Sequence, residues 1–197
     1  MKLILASSSP RRAEVLRNAG FVFEIRPAGV DETRQQHEAA EDYVRRVAQA
    51  KACAIAEPAR AAGERAIVIA ADTIVLAAGE ILGKPKDAED ARRMLRLLSG
   101  KTHEVLTALS VINIPAAKEA LHVEKTRVEF LKMSGQEIAS YIQTGEPFDK
   151  AGAYGIQGIA GRFITRNEGC YFNVLGLPLS RLWTTLQSLG WKEDGAA

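Results

Sequence analysis

The stretch that most limits the fold is an apolar run over residues 65–76, RAIVIAADTIVL. Branched side chains at successive positions are typical of a strand that is buried on both faces, as in a sheet covered by helices. Asp72 lies inside this run. Because desolvating a carboxylate costs several kcal/mol, Asp72 needs either a structural partner or a cation at the floor of a cleft, and we favour the cation.

The first residues of the chain predict a strand, a polar turn and a helix. Residues 2–19 read KLILASSSPRRAEVLRNA, with an apolar run first and Pro10 at the opening position of the helix. Ser9 stands where an N-cap residue belongs. Backbone N–H groups, serine hydroxyls and the guanidinium groups of Arg11 and Arg12 would together suit a polyphosphate. The alternative is an ordinary capped surface helix with two solvated arginines.

Length and composition predict one domain, over residues 1–197, in two lobes. The chain has 197 residues, of which 47% are hydrophobic, so it can bury a sizeable core. Its 26 Lys and Arg against 24 Asp and Glu give a formal net charge of +2, which provides no general field for nucleic acid. We therefore expect no stable nucleic-acid binding.

The same composition predicts a cytoplasmic protein that is not inserted in a membrane. No apolar run approaches the roughly 20 residues of a spanning helix, and Arg11 and Arg12 interrupt any secretory leader. The spacing of Cys53 and Cys170 indicates neither a disulfide framework nor a zinc site, which fits a reducing compartment. Residues 192–197 are expected to fray.

Hydrophobic periodicity predicts further strands and helices along the rest of the chain. Helices are expected over 39–62, over 87–99, from Ser134 and along a last stripe of Leu179, Leu182, Trp183, Leu186 and Leu189; strands are expected over 21–25, 102–114, 120–131, 162–165 and 170–174. The predicted apolar stripe of the first of these helices is Tyr43, Val47, Ala50, Ala54 and Ile55. Lys51 lies beside that stripe and is interpreted as a snorkelling lysine, unless another residue pairs with it. His103 is interpreted as a histidine at a strand edge.

A glycine-lysine turn at residues 79–85 looks like a phosphate-binding Walker loop at first sight. The spacing between Gly79 and Gly83 is one residue short, and Pro85 stands where the loop needs a hydroxyl for magnesium. We therefore exclude a P-loop NTPase. Lys84, between glycine and proline, is interpreted as a cation held on a stiff turn.

A second glycine-rich stretch, residues 145–158, carries charges of both signs and favours a loop that lies against a ligand. Cations and carboxylates that could converge are Arg11, Arg12, Lys51, Lys84, Lys150, Glu32, Asp72 and Asp149. Cations hold phosphate oxygens, and carboxylates hold a hard divalent ion, so the set indicates phosphoryl chemistry on a nucleotide. No cysteine or serine stands beside a histidine, so attack by an activated water is the simpler expectation.

Seven blocks of this sequence follow one another in the order of a known family. They are ASSSPRR at residues 6–12, Asp31-Glu32, Lys51, ADT at 71–73, GKP at 83–85, THEVLTA at 102–108 and EPFDKAGAYGIQG at 146–158. In this order the chain resembles the Maf family of nucleoside triphosphate pyrophosphatases, from about Leu3 to the final helix. The resemblance implies an α/β fold, similar to that of inosine triphosphatase, with two lobes, an elongated twisted mixed sheet flanked by helices and a central cleft.

The same resemblance implies an activity and a set of residue roles. It implies that a homodimer hydrolyses a nucleoside triphosphate to the monophosphate and pyrophosphate, in the house-cleaning of nucleotide pools, with Mg²⁺ or Mn²⁺. Asp72 would be the general base, and Glu32 with Asp72 would hold the metal. Phosphate contacts would come from Ser7, Arg12, Lys51 and Lys84, and base choice from Arg11, Thr73 and Gln157.

Gln157 bears on the substrate that the resemblance implies. The form YGIQG at 154–158 resembles the branch that acts on dTTP and UTP, whereas the branch that acts on 7-methyl-GTP tends to carry an acidic residue in place of this glutamine. An amide offers both a donor and an acceptor to the edge of uracil or thymine. Alternative substrates are modified pyrimidine triphosphates and 7-methyl-GTP, and the alternative function is that of a non-catalytic regulator of cell division that binds nucleotides or nucleic acid.

Gly169-Cys170 departs from the family pattern, and Cys170 is expected to be a small buried residue.

Overall fold

The structure, a computed structural model, describes residues 1–193. Residues 194–197, which belong to the end expected to fray, lie outside the described residues. The helices are α1 (Pro10–Asn18), α2 (Ala40–Ala61), α3 (Ala88–Leu98), α4 (Gly135–Gln143), α5 (Tyr171–Val174) and α6 (Leu179–Ser188). None of the helices within residues 1–193 is both long and apolar enough to cross a membrane.

The strands are β1 (Lys2–Leu5), β2 (Phe23–Ile25), β3 (Ala66–Ala77), β4 (Glu80–Leu82), β5 (Thr102–Asn113), β6 (Lys118–Phe130) and β7 (Ile164–Glu168). They form one sheet with the order β2-β1-β3-β5-β6-β7, and β4 pairs with β3. β1 is parallel to both β2 and β3, whereas the β3–β4 and β6–β7 pairs are antiparallel. This confirms the predicted α/β class with a mixed sheet.

Two compact units divide the chain. Unit 1 is formed by residues 1–72, 107–124 and the segment from 176 onward, and unit 2 by residues 73–106 and 125–175. Unit 1 contains a buried cluster in which Ile4 and Val68 of the strands pack with the alanines of α2. Unit 2 has its own core, in which Leu95 of α3 and Tyr141 of α4 pack with Val128 of the sheet. The expectation of a single domain over residues 1–197 stays a prediction.

The buried face of α2 differs from the predicted stripe. Its buried residues are Val44, Val47, Ala48, Lys51, Ala52, Ala56 and Ala59, so Lys51 lies within the stripe and not beside it. Tyr43 and Ala50 are only half-buried. The buried stripe is displaced by about one residue from the predicted stripe. A pattern of apolar residues leaves out Lys51 because its side chain is charged.

The segment predicted as a last strand, residues 170–174, is mainly the short helix α5. In a strand Tyr171 and Asn173 would share one face, but Tyr171 is exposed and Asn173 is fully buried. The buried Asn173 amide donates to the carbonyl of Val105 (3.0 Å) and to Oγ1 of Thr126 (2.9 Å). Cys170, expected to be buried, is partly exposed.

Two further expectations were wrong in detail. Trp183, placed in the apolar stripe of α6, is 37% exposed, and Thr185 is buried in that helix. His103 is not at a strand edge: it lies on β5, which is flanked by β3 and β6, and it is 3% exposed. Its ring makes edge contacts with Phe130 and Tyr154, so it belongs to the core of unit 2.

Candidate active site

A lysine and two carboxylates form a charged cluster in unit 1. Nζ of Lys51 lies 2.8 Å from Oδ1 of Asp72 and 2.8 Å from Oε1 of Glu32. Lys51 and Asp72 are buried, whereas Glu32 is exposed. Two carboxylates therefore share one ammonium, and Asp72 supplies its carboxylate from the middle of the buried strand β3. The interpretation of Lys51 as a snorkelling lysine is wrong, because its side chain is buried.

The position of Lys51 follows from helix geometry. Lys51 comes four residues after Val47 and seven after Val44, and this spacing places all three side chains on one face of α2. A stripe that began at Val44 would have predicted the burial of Lys51 from the sequence. Asp72 comes from β3, and Glu32 from the segment between β2 and α2.

The carboxyl group of Asp72 has a perturbed acidity. Burial raises the pKa of Asp72 above its ordinary value, while the charges of Lys51 and Arg12 oppose that rise. Burial also lowers the pKa of Arg12, and the charge of Asp72 partly offsets this. A buried carboxylate that is held ionised by neighbouring cations, with a raised pKa, is suited to accept a proton from water.

The turn before α1 is held together by Arg12. Nε of Arg12 donates to the carbonyl of Gly176 (2.8 Å), and Nη1 donates to Oγ of Ser7 (3.2 Å). The hydroxyl of Ser7 also accepts a hydrogen bond from the backbone N–H of Ser9 (3.2 Å). Arg12 is buried and Arg11 is half-buried, so the alternative of two solvated arginines is wrong for Arg12. Ser9 occupies the N-cap position, but its side chain makes no capping hydrogen bond.

Side chains of α2 hold the segment that carries Glu32. The hydroxyl of Tyr43 donates to the carbonyl of Glu32 (2.8 Å), and Nη2 of Arg46 donates to the carbonyl of Thr33 (3.0 Å). Nε of Arg46 also donates to Oε1 of Glu38 (2.6 Å), and this bond is the main reason that the pKa of Glu38 is lowered to about 2. The sequence did not indicate these two residues, because a tyrosine and an arginine three positions apart on a helix carry no specific signal.

The donor set of this cluster fits a hard divalent cation. Asp72 and Glu32 each direct one carboxylate oxygen at the same ammonium, so two hard anionic oxygens converge on one position. Small divalent ions such as Mg²⁺ are bound by one or two carboxylates together with waters and substrate phosphates. Within residues 1–193 no three His, Cys, Asp or Glu side chains converge. A metal held by Asp72 and Glu32 would therefore take its other ligands from water and substrate.

Three predicted site residues, Lys84, Thr73 and Gln157, belong to unit 2. Lys84 is exposed, two residues after the end of β4, and the carbonyl of the preceding Gly83 accepts a hydrogen bond from the N–H of Gly152 (3.0 Å). Thr73 is half-buried on β3, and Gln157 is exposed. Unit 1 thus contains six of the nine predicted site residues, which are Ser7, Arg11, Arg12, Glu32, Lys51 and Asp72, and unit 2 contains the other three.

Two charged residues of the glycine-rich stretch pair with each other. Nζ of Lys150 lies 2.6 Å from Oδ1 of Asp149, and it also donates to the carbonyl of Glu146 (2.7 Å). The carboxylate of Glu146 accepts hydrogen bonds from the hydroxyl of Tyr141 (2.9 Å) and from the N–H of Ile159 (2.8 Å). Lys150 and Asp149 were predicted as charges that could converge, whereas no role was predicted for Glu146 or Tyr141.

Comparisons with known proteins identify the family of this chain. A relative from Hahella chejuensis is 49% identical over 193 residues, which cover 97% of this chain and 94% of the relative; another from Koribacter versatilis is 48% identical over 190 residues, covering 96% and 95%. Both are named dTTP/UTP pyrophosphatase. The solved structure of the Staphylococcus aureus Ham1 protein has the same fold, with a TM-score of 0.50 and 14% identity over 95% of this chain and 99% of that chain. The family model for Maf-like proteins matches residues 2–189, and the chain therefore belongs to the Maf family.

Proposed function

We propose that this chain is a nucleoside triphosphate pyrophosphatase that converts dTTP and UTP to the monophosphates and pyrophosphate. The observation that carries the proposal is the pairing of buried Asp72 with Lys51 and Glu32, at 2.8 Å each. The names of the relatives support the choice of substrates.

The proposed base is Asp72. A water attacks the α-phosphorus, a new P–O bond forms there, and the proton of the water passes to the Asp72 carboxylate. The bond between the α-phosphorus and the bridging oxygen breaks, and pyrophosphate leaves with that electron pair. The raised pKa of Asp72 supports this role, because it increases the proton affinity of the base.

Cationic and polar groups are proposed to hold the phosphates. Ser7, Arg12, Lys51 and Lys84 are the contacts, together with backbone N–H groups at the start of α1. Arg12 is already fixed by its bonds to Ser7 and Gly176, so its charge costs little further ordering when a phosphate binds. These preorganised positive groups stabilise the negative charge that develops on the leaving group, which lowers the activation barrier of the hydrolysis.

Glu32 and Asp72 are proposed to hold Mg²⁺ or Mn²⁺. When bound, such an ion supplies positive charge that stabilises the phosphate oxygens and the pyrophosphate leaving group. The exposure of Glu32 supports this assignment, because its carboxylate can reach a hydrated ion without a further cost of desolvation.

Base choice is proposed to rest on Arg11, Thr73 and Gln157. The amide of Gln157 matches the alternating carbonyl and N–H edge of uracil and thymine.

For the molecule as a whole, the resemblance to the family supports a homodimer in the cytoplasm. The formal net charge of +2 supports the expectation of no stable nucleic-acid binding.

A panel of triphosphates tests the proposal directly. Pyrophosphate release from dTTP, UTP, CTP, modified pyrimidine triphosphates and 7-methyl-GTP would be measured with Mg²⁺ and with Mn²⁺, and compared as kcat/KM. We expect the highest values for dTTP and UTP. A clear preference for 7-methyl-GTP would overturn the assignment of Gln157, and nucleotide binding without any pyrophosphate release would favour a non-catalytic regulator.

A further inference from the structure

Unit 2 contains a carboxylate that the proposed mechanism does not use. Oε1 of Glu146 accepts a hydrogen bond from the hydroxyl of Tyr141 (2.9 Å), and Oε2 accepts one from the N–H of Ile159 (2.8 Å). Tyr141 is fully buried on α4. One carboxylate therefore ties the helix before the glycine-rich stretch to the backbone 13 residues further along the chain.

The backbone between these two ties lies directly on the Glu146 side chain. A Cβ atom built on Gly158 would stand 2.3 Å from Oε1 of Glu146, and one on Gly155 would stand 2.7 Å from Cε of Lys150. These distances are far inside van der Waals contact. A side chain at residue 155 or 158 would therefore force the end of the Lys150 or the Glu146 side chain to shift.

Gln157 lies in the turn that is closed in this way. The N–H of Gly158 donates to the carbonyl of Gly155 (3.1 Å), so Ile156 and Gln157 are the two central residues of a turn. Lys150 supports the same turn, because its stem lies beside Gly155 while its ammonium donates to the carbonyl of Glu146 (2.7 Å). The backbone on both sides of Gln157 is therefore fixed, and its side chain is exposed.

We infer that Glu146 and Tyr141 are positioning residues for base selection, because they fix the turn that presents the amide of Gln157. This inference rests on the proposed role of Gln157. Uracil presents a carbonyl acceptor beside an N–H donor, whereas cytosine presents an amino donor beside a ring-nitrogen acceptor. A glutamine amide can pair with the carbonyl and N–H of uracil only from a suitable position, and the fixed backbone of the turn sets the position from which the Gln157 amide reaches the base.

The experiment compares kcat/KM for UTP and for CTP in the full-length protein. The variants are Tyr141→Phe, Glu146→Ala, Glu146→Gln, Gln157→Ala and the double variant Tyr141→Phe with Gln157→Ala. We expect Tyr141→Phe to lower the UTP-to-CTP ratio about tenfold, the order of one lost hydrogen bond. Glu146→Gln, which keeps one acceptor oxygen, should lose less selectivity than Glu146→Ala. In the Gln157→Ala background, Tyr141→Phe should change the ratio no further.

Tyr171→Phe is the matched control, since it removes an exposed tyrosine hydroxyl elsewhere in unit 2. It should leave the ratio unchanged. Thermal unfolding of each variant separates a loss of folded protein from a loss of selectivity, because unfolding lowers kcat/KM for both substrates equally. If Tyr141→Phe fails to fold, Gly158→Ala gives the same test, because its added methyl group displaces the Glu146 carboxylate.

The outcomes distinguish the inference from the proposed function. A wild-type protein that releases no pyrophosphate from UTP overturns the proposed function and, with it, the inference. A wild-type protein that prefers UTP, with Tyr141→Phe and Glu146→Ala variants that keep the same preference, overturns the inference alone. Additive effects of Tyr141→Phe and Gln157→Ala on the ratio also overturn it, because Tyr141 would then act independently of Gln157.

Discussion

Two features of the surroundings of Asp72 have opposite effects on its pKa. Burial raises the pKa of its carboxyl group, and the charges of Lys51 and Arg12 lower it. The sequence indicates Asp72 clearly, because a carboxylate interrupts an apolar run. It does not indicate the partner in the same way, because Lys51 lies 21 residues away and meets Asp72 only once α2 has packed.

The Asp72→Asn variant tests the role of this residue. An amide of nearly the same shape has no useful basicity, so we expect turnover to fall by several orders of magnitude. The fold should persist, because Lys51 keeps its ion pair with Glu32. Pyrophosphate release from dTTP measures the first effect, and far-UV circular dichroism with thermal unfolding measures the second. Near-normal activity in the presence of metal would show that Asp72 is not the base.

His103 makes the stability of the protein depend on pH. Burial lowers the pKa of His103 to about 4. Nε2 shares a hydrogen bond with the hydroxyl of Tyr154 (2.8 Å), and Nδ1 has no hydrogen-bond partner within the described residues. A protonated ring would need a second acceptor at Nδ1, so the folded protein favours neutral histidine.

The sign of the resulting pH dependence follows from linkage. Between about pH 6.5 and 4 the unfolded chain binds a proton at His103 that the folded protein does not, so stability is lost as the pH falls. The loss attributable to His103 should reach about 3 kcal/mol near pH 4. Urea unfolding of the wild type and of His103→Gln at several pH values checks this. The variant should lose less stability over that interval, and equal slopes would contradict the prediction.

Among the helices, the sequence predicted the starts of α3 and α4 correctly, because each capping residue bonds to its own helix. The N-cap of α3 is Asp87, whose side chain accepts from the N–H of Asp90 (2.8 Å), and α4 begins with a capping box formed by Ser134 and Glu137. The serine before α1 gave the same type of signal, but its side chain does not cap. Arg12 and Ser7 order that turn instead, and Arg12 depends on Gly176, 164 residues away. Contacts so distant in sequence leave no local pattern.

This contrast between two serines is testable. Ser134→Ala removes a side chain that accepts from the N–H of Glu137 (3.2 Å), and we expect a loss of about 1 kcal/mol in the free energy of unfolding. Ser9→Ala removes no capping bond, so its effect should stay within about 0.5 kcal/mol. Urea unfolding of both variants under the same conditions measures the difference. A loss at Ser9 equal to that at Ser134 would mean that the Ser9 hydroxyl does cap α1.

For the molecule as a whole, hydrophobic periodicity predicted the long strands β3, β5 and β6 and the amphipathic helix α3, and the resemblance to the family predicted the fold class. The assignment of segments to the two units could not be predicted in this way. β3 and β5 each supply residues to both units, with the division after Asp72 on β3 and after Leu106 on β5. Such a division depends on contacts between remote segments, and no change of composition marks it.

The response of the whole protein to metal is the last prediction. In the structure, the Lys51 ammonium bridges Asp72 and Glu32, so removal of metal by EDTA should abolish pyrophosphate release while the protein stays folded. Mg²⁺ at about 100 times its Kd should stabilise the fold by up to about 2.7 kcal/mol, a rise in Tm of about 5–10 °C. Because the ion competes with the ammonium for the same oxygens, the gain should be larger in Lys51→Ala and smaller in Glu32→Gln than in the wild type. Calorimetric unfolding with and without Mg²⁺ measures the gain in stability for the wild type and both variants. Identical gains in the three proteins would show that the ion does not bind at Asp72 and Glu32.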